Sequence, residues 1–239
     1  LHKLTSGQEA ALRKTEQQLM AANWLKRKFI ANINHAVRTP MNAIIGYAEM
    51  LAESPLDEQQ RRFVSTIRKN GTALISIIND VMELSKLETG NVKVMKAPAN
   101  LHVVVEQTAD LFMEQIRAKK LSFEWVVDPN LPKMYIMDAE HCRQVLINLI
   151  SNGVKFTDRG KVSLSVTGLE SKLDEYTLSF QVADTGVGMS PEEQQTIMKL
   201  LSQQNEKIGI HDGTNLGLTL CVRLARMMGG DIQLESATN

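Results

Sequence analysis

Phe29-Ile30-Ala31-Asn32-Ile33-Asn34-His35-Ala36-Val37-Arg38-Thr39-Pro40-Met41-Asn42-Ala43-Ile44 lies inside a run, residues 8–53, that holds a single proline, Pro40, and a single glycine, Gly46. Apolar residues recur through that run at Leu12, Leu19, Leu25, Phe29, Ile33, Val37, Met41, Ile44, Ala48 and Leu51, mostly in steps of three and four. Such spacing predicts one apolar stripe along one long helix, and a helix of this length needs a helical partner in a bundle or coiled coil. His35 stands two positions from both Ile33 and Val37, so at about 100° per residue it points away from the stripe. Thr39 follows one turn later on the same face, and Pro40 removes a backbone hydrogen bond and bends the helix. Taken alone, His35 is most simply read as a solvated histidine beside a tolerated kink.

Ser54-Pro55-Leu56-Asp57 breaks the helix, because the residue before a proline avoids the helical region and Asp57 can cap a new start. A second helix over residues 58–89 repeats the period with Phe63, Ile67, Leu74, Ile77, Val81, Leu84 and Leu87, and Thr89-Gly90-Asn91 closes it. Two helices cannot bury both stripes, which predicts a homodimer forming a four-helix bundle.

Beyond Gly90 the pattern changes. Residues 91–95 alternate weakly like a strand, 100–118 are helical and 121–127 read as a strand. Residues 138–154 form an amphipathic helix with an acidic start, and 161–169 with 176–182 suggest an antiparallel hairpin. Ser190-Pro191-Glu192-Glu193 is a capped helix start, helix resumes over 214–228, and Gly229-Gly230 turns the chain into a last strand at 231–235. The expected architecture is therefore two domains. An all-α hairpin occupies residues 1–90, and a mixed sheet with helices, α+β, occupies 91–239.

Composition narrows the function. Lys+Arg and Asp+Glu each count 27 in 239 residues, so there is no global basic field to hold nucleic acid or an anionic membrane. Cys142 and Cys221 lie far apart with no CxxC, which indicates neither a disulfide framework nor a zinc site and suggests a reducing, cytosolic setting. No apolar run approaches the ~18 residues of a membrane helix. The start without Met, in what reads as mid-helix, suggests a fragment with a membrane sensor upstream.

Three further strings carry chemistry. Asn148-Leu149-Ile150-Ser151-Asn152-Gly153-Val154-Lys155-Phe156-Thr157 places two asparagines on one helix face with a lysine at the helix end. Uncharged oxygen donors and a nearby cation fit a Mg²⁺–nucleotide site, although buried asparagines satisfying backbone groups would give the same pattern. Asp184-Thr185-Gly186-Val187-Gly188-Met189 ends a strand with a carboxylate able to accept from an exocyclic amine, and its glycines let backbone approach a ligand; an ordinary turn would read alike. Gly213-Thr214-Asn215-Leu216-Gly217-Leu218 opens a helix whose first N–H groups can meet phosphate, as a plain loop-to-helix junction also would.

Together the four strings resemble the sensor histidine kinase family over about residues 10–236. The first is similar to the phosphoacceptor box, the others to the asparagine and glycine boxes of the ATP-binding domain shared with gyrase B and a class of heat-shock chaperones. The resemblance is to the hybrid branch of the family, orphan regulators included. It implies an ATP-binding α+β sandwich after the hairpin, with ATP and Mg²⁺ as cofactors and Asn152 as the metal ligand. It further implies Asn148 and Lys155 near phosphates, Asp184 on the adenine amine, Gly186 and Gly188 shaping the base pocket, and Gly213, Gly217 and Leu218 at the phosphate end. His35 would take the γ-phosphate of ATP and relay it to an Asp of a response-regulator receiver domain. The expected partners are a second copy, that receiver and another sensor kinase, with no nucleic acid and no membrane contact in this stretch. The expected location is the cytoplasmic portion of an inner-membrane-anchored bacterial sensor.

The sequence departs from the family pattern in several places. Ala36 stands where a Glu or Asp usually follows the histidine, and no carboxylate lies between Glu16 and Glu49. Loss of a general base costs about 10²–10⁴ in rate, which predicts slow autokinase activity. Gly153 replaces the usual alanine, Asn215 the middle glycine of the last box, and Met198-Lys199-Leu200-Leu201 a phenylalanine-bearing segment; the lid, residues 204–212, offers mainly Lys207 and His211. Thr39 is retained, and in the family a residue there can orient a water for phosphatase activity.

Overall fold

The structure is a computed structural model describing residues 6–88, 92–172, 175–202 and 216–237. The chain divides into two compact units, Leu1–Val92 and Lys93–Asn239.

The first unit is a hairpin of α1 (Ser6–Ala52) and α2 (Glu58–Glu88). The turn ends in a reciprocal capping box, with Gln60 N donating to Asp57 Oδ1 at 2.8 Å and Asp57 N to Gln60 Oε1 at 3.1 Å. Ala48, Val64 and Leu84 are buried between the helices, and Gly71 lets Ile45 and Met41 approach: a Cβ there would stand 2.8 Å from Ile45 Cγ1. The single stripe expected on α1 divides in two. Val37, Met41, Ile45 and Ala48 are buried or half-buried, whereas Phe29, Ile33, Ile44 and Leu51 are exposed, together with Phe63, Ile67, Leu74 and Ile77 of α2. Residues 89–91, the expected helix stop, lie outside the described residues.

The second unit contains β1 (Ala97–Asn100), α3 (Leu101–Asp110), α4 (Met113–Lys119), β2 (Ser122–Val127), β3 (Met134–Met137), α5 (Ala139–Phe156), β4 (Lys161–Lys172), β5 (Glu175–Asp184), α6 (Pro191–Ser202) and α7 (Leu216–Met227). One sheet has the order β2-β4-β5, with β2 parallel and β5 antiparallel to β4; a second pairs β1 with β3. Leu146 and Ile150 of α5 meet Val162, Leu164 and Val166 of β4 in a core completed by Leu101 and Val105 of α3. This is the α+β arrangement the pattern predicts.

Three expectations need correction. The strand expected at 91–95 is absent from its described residues, 92–95, and pairing begins instead at Ala97, where β3 supplies a partner. The expected helix over 100–118 is two helices, interrupted at Leu111 and Phe112. No strand forms at 231–235: Ile232 N donates to Asp231 Oδ1 at 2.9 Å instead of to a neighbouring strand. Among the described residues no helix is long and apolar enough to cross a membrane.

Candidate functional sites

On α1 the helix continues through Pro40, whose missing N–H deprives the carbonyl of Ala36 of its helical donor. His35 is exposed, as its helical phase predicts, and Thr39 is exposed one turn on, its Oγ1 donating to His35 O at 3.1 Å. Arg38 crosses to α2 and donates to Asn79 Oδ1 at 2.7 Å. Asn34, beside the histidine, is buried, and its Oδ1 has no hydrogen-bond partner among the described residues. No reading of the sequence singled out Asp80, which follows Asn79. Burial first, and the nearby Glu83 carboxylate second, push its carboxyl up to about 6.

In the second unit, Asp138 caps α5 and is itself buried. Its Oδ1 accepts from His141 N at 3.1 Å, and its Oδ2 accepts from Met95 N and lies against His141 Nδ1, both at 2.7 Å. Burial alone would raise this carboxyl, but the hydrogen bonds from His141 and Met95 outweigh it and hold the group below the usual carboxylate range. The helix so anchored carries Asn148 and Asn152, both half-buried and one turn apart on one face, and exposed Lys155, whose Nζ lies 4.9 Å from the centre of the Phe156 ring.

Two distant segments converge on that helix. Gly217 and Leu218 sit half-buried in the first turn of α7, and Asn148 Nδ2 donates to Gly217 O at 3.5 Å. Asp184 ends β5 with its carboxylate exposed; Oδ1 accepts from Gly186 N at 2.8 Å and from the fully buried Thr157 hydroxyl at 3.4 Å. Gly186 has to be glycine, since a Cβ would stand 2.5 Å from Phe156 O, and Gly188 adopts φ 70°. Gly153 is buried against β4, where a Cβ would meet Val162 Cγ1 at 3.2 Å. Gly213, Asn215 and the lid residues 204–212 lie outside the described residues.

The donor set suits a nucleotide. Asp184 is an acceptor held by two neighbours, glycine backbone lies beside it, and Asn152 offers a hard neutral oxygen for Mg²⁺, which keeps waters and takes few protein ligands. Sequence reading missed Lys119, whose Nζ donates to Val154 O at 2.8 Å and to Lys155 O and Thr157 O at 3.1 Å. Contacts made 35 or more residues away leave no local signal.

Two family models match separate stretches of the chain. Residues 25–90 match the family model of the His Kinase A (phospho-acceptor) domain, and residues 137–239 that of the histidine kinase-, DNA gyrase B-, and HSP90-like ATPase. The chain is 33% identical over 228 residues to hybrid signal transduction histidine kinase B of Dictyostelium discoideum, covering 95% of this chain and 11% of that protein. It is 31% identical over 221 residues to the sensor histidine kinase GacS of Pseudomonas protegens, covering 92% and 24%. The chain therefore spans a quarter or less of the length of these relatives. Among solved structures, full-length ShkA in complex with AMPPNP superposes with a TM-score of 0.63 at 30% identity, over 88% of this chain and 43% of that one.

Proposed function

From the premise that this chain belongs to the sensor histidine kinase family, we propose that it binds ATP on α5 and transfers the γ-phosphoryl group to His35. The observation that carries this is the convergence of three separated strings: Asn148 meets Gly217 at 3.5 Å, while Thr157, at the end of the same helix, meets Asp184 at 3.4 Å. Asp184 accepts from the adenine amine, Gly186 and Gly188 line the base, and Asn148, Lys155, Gly213, Gly217 and Leu218 face the phosphates. Asn152 would hold Mg²⁺, which would supply positive charge against the phosphate oxygens.

A ring nitrogen of His35 attacks the γ-phosphorus, an N–P bond forms and ADP leaves with the bridging oxygen. The proton on the other nitrogen must go to a base, which Ala36 cannot supply, so the step is slow. The phosphoryl group then passes to a carboxylate oxygen of a receiver Asp. Within a longer protein the chain would be the cytoplasmic core of a membrane-anchored sensor.

The exposed Thr39 hydroxyl, one turn from His35, supports a second activity, hydrolysis of the receiver's acyl phosphate by an oriented water. The exposed apolar stripes support a homodimer; they also allow pairing with another sensor kinase, the alternative should catalysis be absent.

Incubation with γ-labelled Mg–ATP tests the reading on the chain as given, on Ala36→Glu and on His35→Ala. Weak acid-labile label that rises with Ala36→Glu by about 10²-fold or more and vanishes with His35→Ala is the expected result. Silence in both the given chain and Ala36→Glu, with the protein folded, would sink the kinase reading in favour of the partner-binding one.

A further inference from the structure

The nucleotide site has a support that none of its three strings contains. Helix α4 ends at Lys119, because Lys120 adopts φ 57°, in the left-handed region, and its N–H returns to Arg117 O and Ile116 O. Lys119 then reaches the far end of α5. The last carbonyls of any helix lack intrahelical donors and carry the negative end of its dipole. Here the Lys119 ammonium closes them, with its three hydrogens matched by the carbonyls of Val154, Lys155 and Thr157. Asp158 adds a looser ion pair at 3.7 Å that is largely solvated and contributes little.

The carbonyls so held belong to the turn that touches the base side of the site. Phe156 O abuts Gly186, and the Thr157 hydroxyl reaches the Oδ1 that Gly186 N also binds. Lys155 leaves the same turn with its Nζ 4.9 Å from the centre of the Phe156 ring. A shift of residues 154–157 therefore moves the group that orients Asp184.

We propose that Lys119 is a positioning residue of the nucleotide site, acting through residues 154–157 on Asp184. The proposal rests on the ATP-site reading above. It makes Lys119 a determinant of base recognition without contact with the nucleotide. Loss of the ammonium frees the turn, leaves three carbonyls to water, and removes the constraint on Thr157 that orients the carboxylate.

The test uses the whole chain in three forms, wild type, Lys119→Met and Lys119→Arg. Mg–ADP and Mg–GDP binding are measured by calorimetry, and amide hydrogen exchange is followed without nucleotide. Lys119→Met keeps the apolar stem and removes the donors. It should weaken ADP about tenfold, the scale of one misaligned hydrogen bond to a charged acceptor, while GDP, which lacks the adenine amine, changes little. Exchange should quicken at Thr157 and Gly186, and Lys119→Arg should restore most of both. Parallel loss of ADP and GDP with faster exchange throughout the unit would make Lys119 a general stabiliser and overturn the proposal, as would unchanged exchange at Thr157 and Gly186. If Lys119→Met does not fold, Thr157→Val removes the same link to Asp184 and must show the same ADP-selective loss, or the relay is wrong. A wild-type chain that binds neither nucleotide, while Lys119→Met still loosens Thr157 and Gly186, would overturn the nucleotide reading and leave the clamp standing.

Discussion

Asp80 shows what one residue's surroundings can do to the hairpin. Its carboxyl is pushed up to about 6 by burial and by Glu83, and Glu83 is itself paired with Lys86 at 2.5 Å. The folded value lies above the ordinary 3.8, so the folded hairpin favours the neutral acid. That contribution is fully present below pH ~4 and is lost as the pH rises through 6. Because the group is only half-buried, screening reduces the loss to about 1 kcal/mol. Asp80→Asn should therefore raise the melting temperature at pH 7.5, the gain falling to about half by pH 5 and mostly gone near pH 4. Thermal melts followed by circular dichroism across that range decide it; a gain independent of pH would assign the effect to packing. His35 was legible as exposed because helical phase fixes its face. Asp80 was not, since its desolvation depends on what α1 lays over α2, and neither helix's period encodes their register.

Among the elements, two glycines of the hairpin differ in what surrounds them. Gly46 in α1 is half-buried, yet a Cβ there would meet no atom of the described residues within 4 Å, so Gly46→Ala should stabilise by about 0.5–1 kcal/mol through chain entropy alone. Gly71 in α2 lies under Ile45 and Met41, with a Cβ 2.8 Å and 3.2 Å from their side chains; Gly71→Leu should cost about 1–3 kcal/mol by overpacking. Equilibrium urea melts of the two variants against the parent chain read both signs, and equal effects would contradict the helix register. Long periodic elements such as α1, α2 and α5 were readable because each repeats its pattern over several turns. β1 and β3, four residues each, are too short to show a period, and they exist because each finds the other across 33 intervening residues. At 231–235 the alternation was real but a strand also needs a partner, and there Asp231 takes the backbone donor. Lys119 and Thr157 were illegible as a pair for the same reason: their link exists only once α4 and α5 are placed.

Across the whole molecule, the second apolar stripe of the hairpin remains to be covered. Ile33, Ile44, Ile67, Leu74 and Ile77 are each between 39% and 46% exposed in the single chain, too much for a core and too regular for chance on two adjacent helices. Burying a side chain of this size yields about 1.5–3 kcal/mol when complete, so completing the burial of five from each of two copies contributes on the order of 10 kcal/mol, the same scale as the ordering cost of association. The expected cover is a second copy on this face, and Leu74→Glu should abolish that pairing, since a carboxylate in that seam is desolvated without a partner. Sedimentation equilibrium should give a dimer for the parent chain and a monomer for Leu74→Glu. The second unit, whose core does not include this face, should keep its hydrogen-exchange protection in both. A parent chain that sediments as a monomer, yet takes up a differently tagged sensor kinase through the same residues and not when Leu74→Glu is present, would shift the stripe's role from self-pairing to the capture of another kinase.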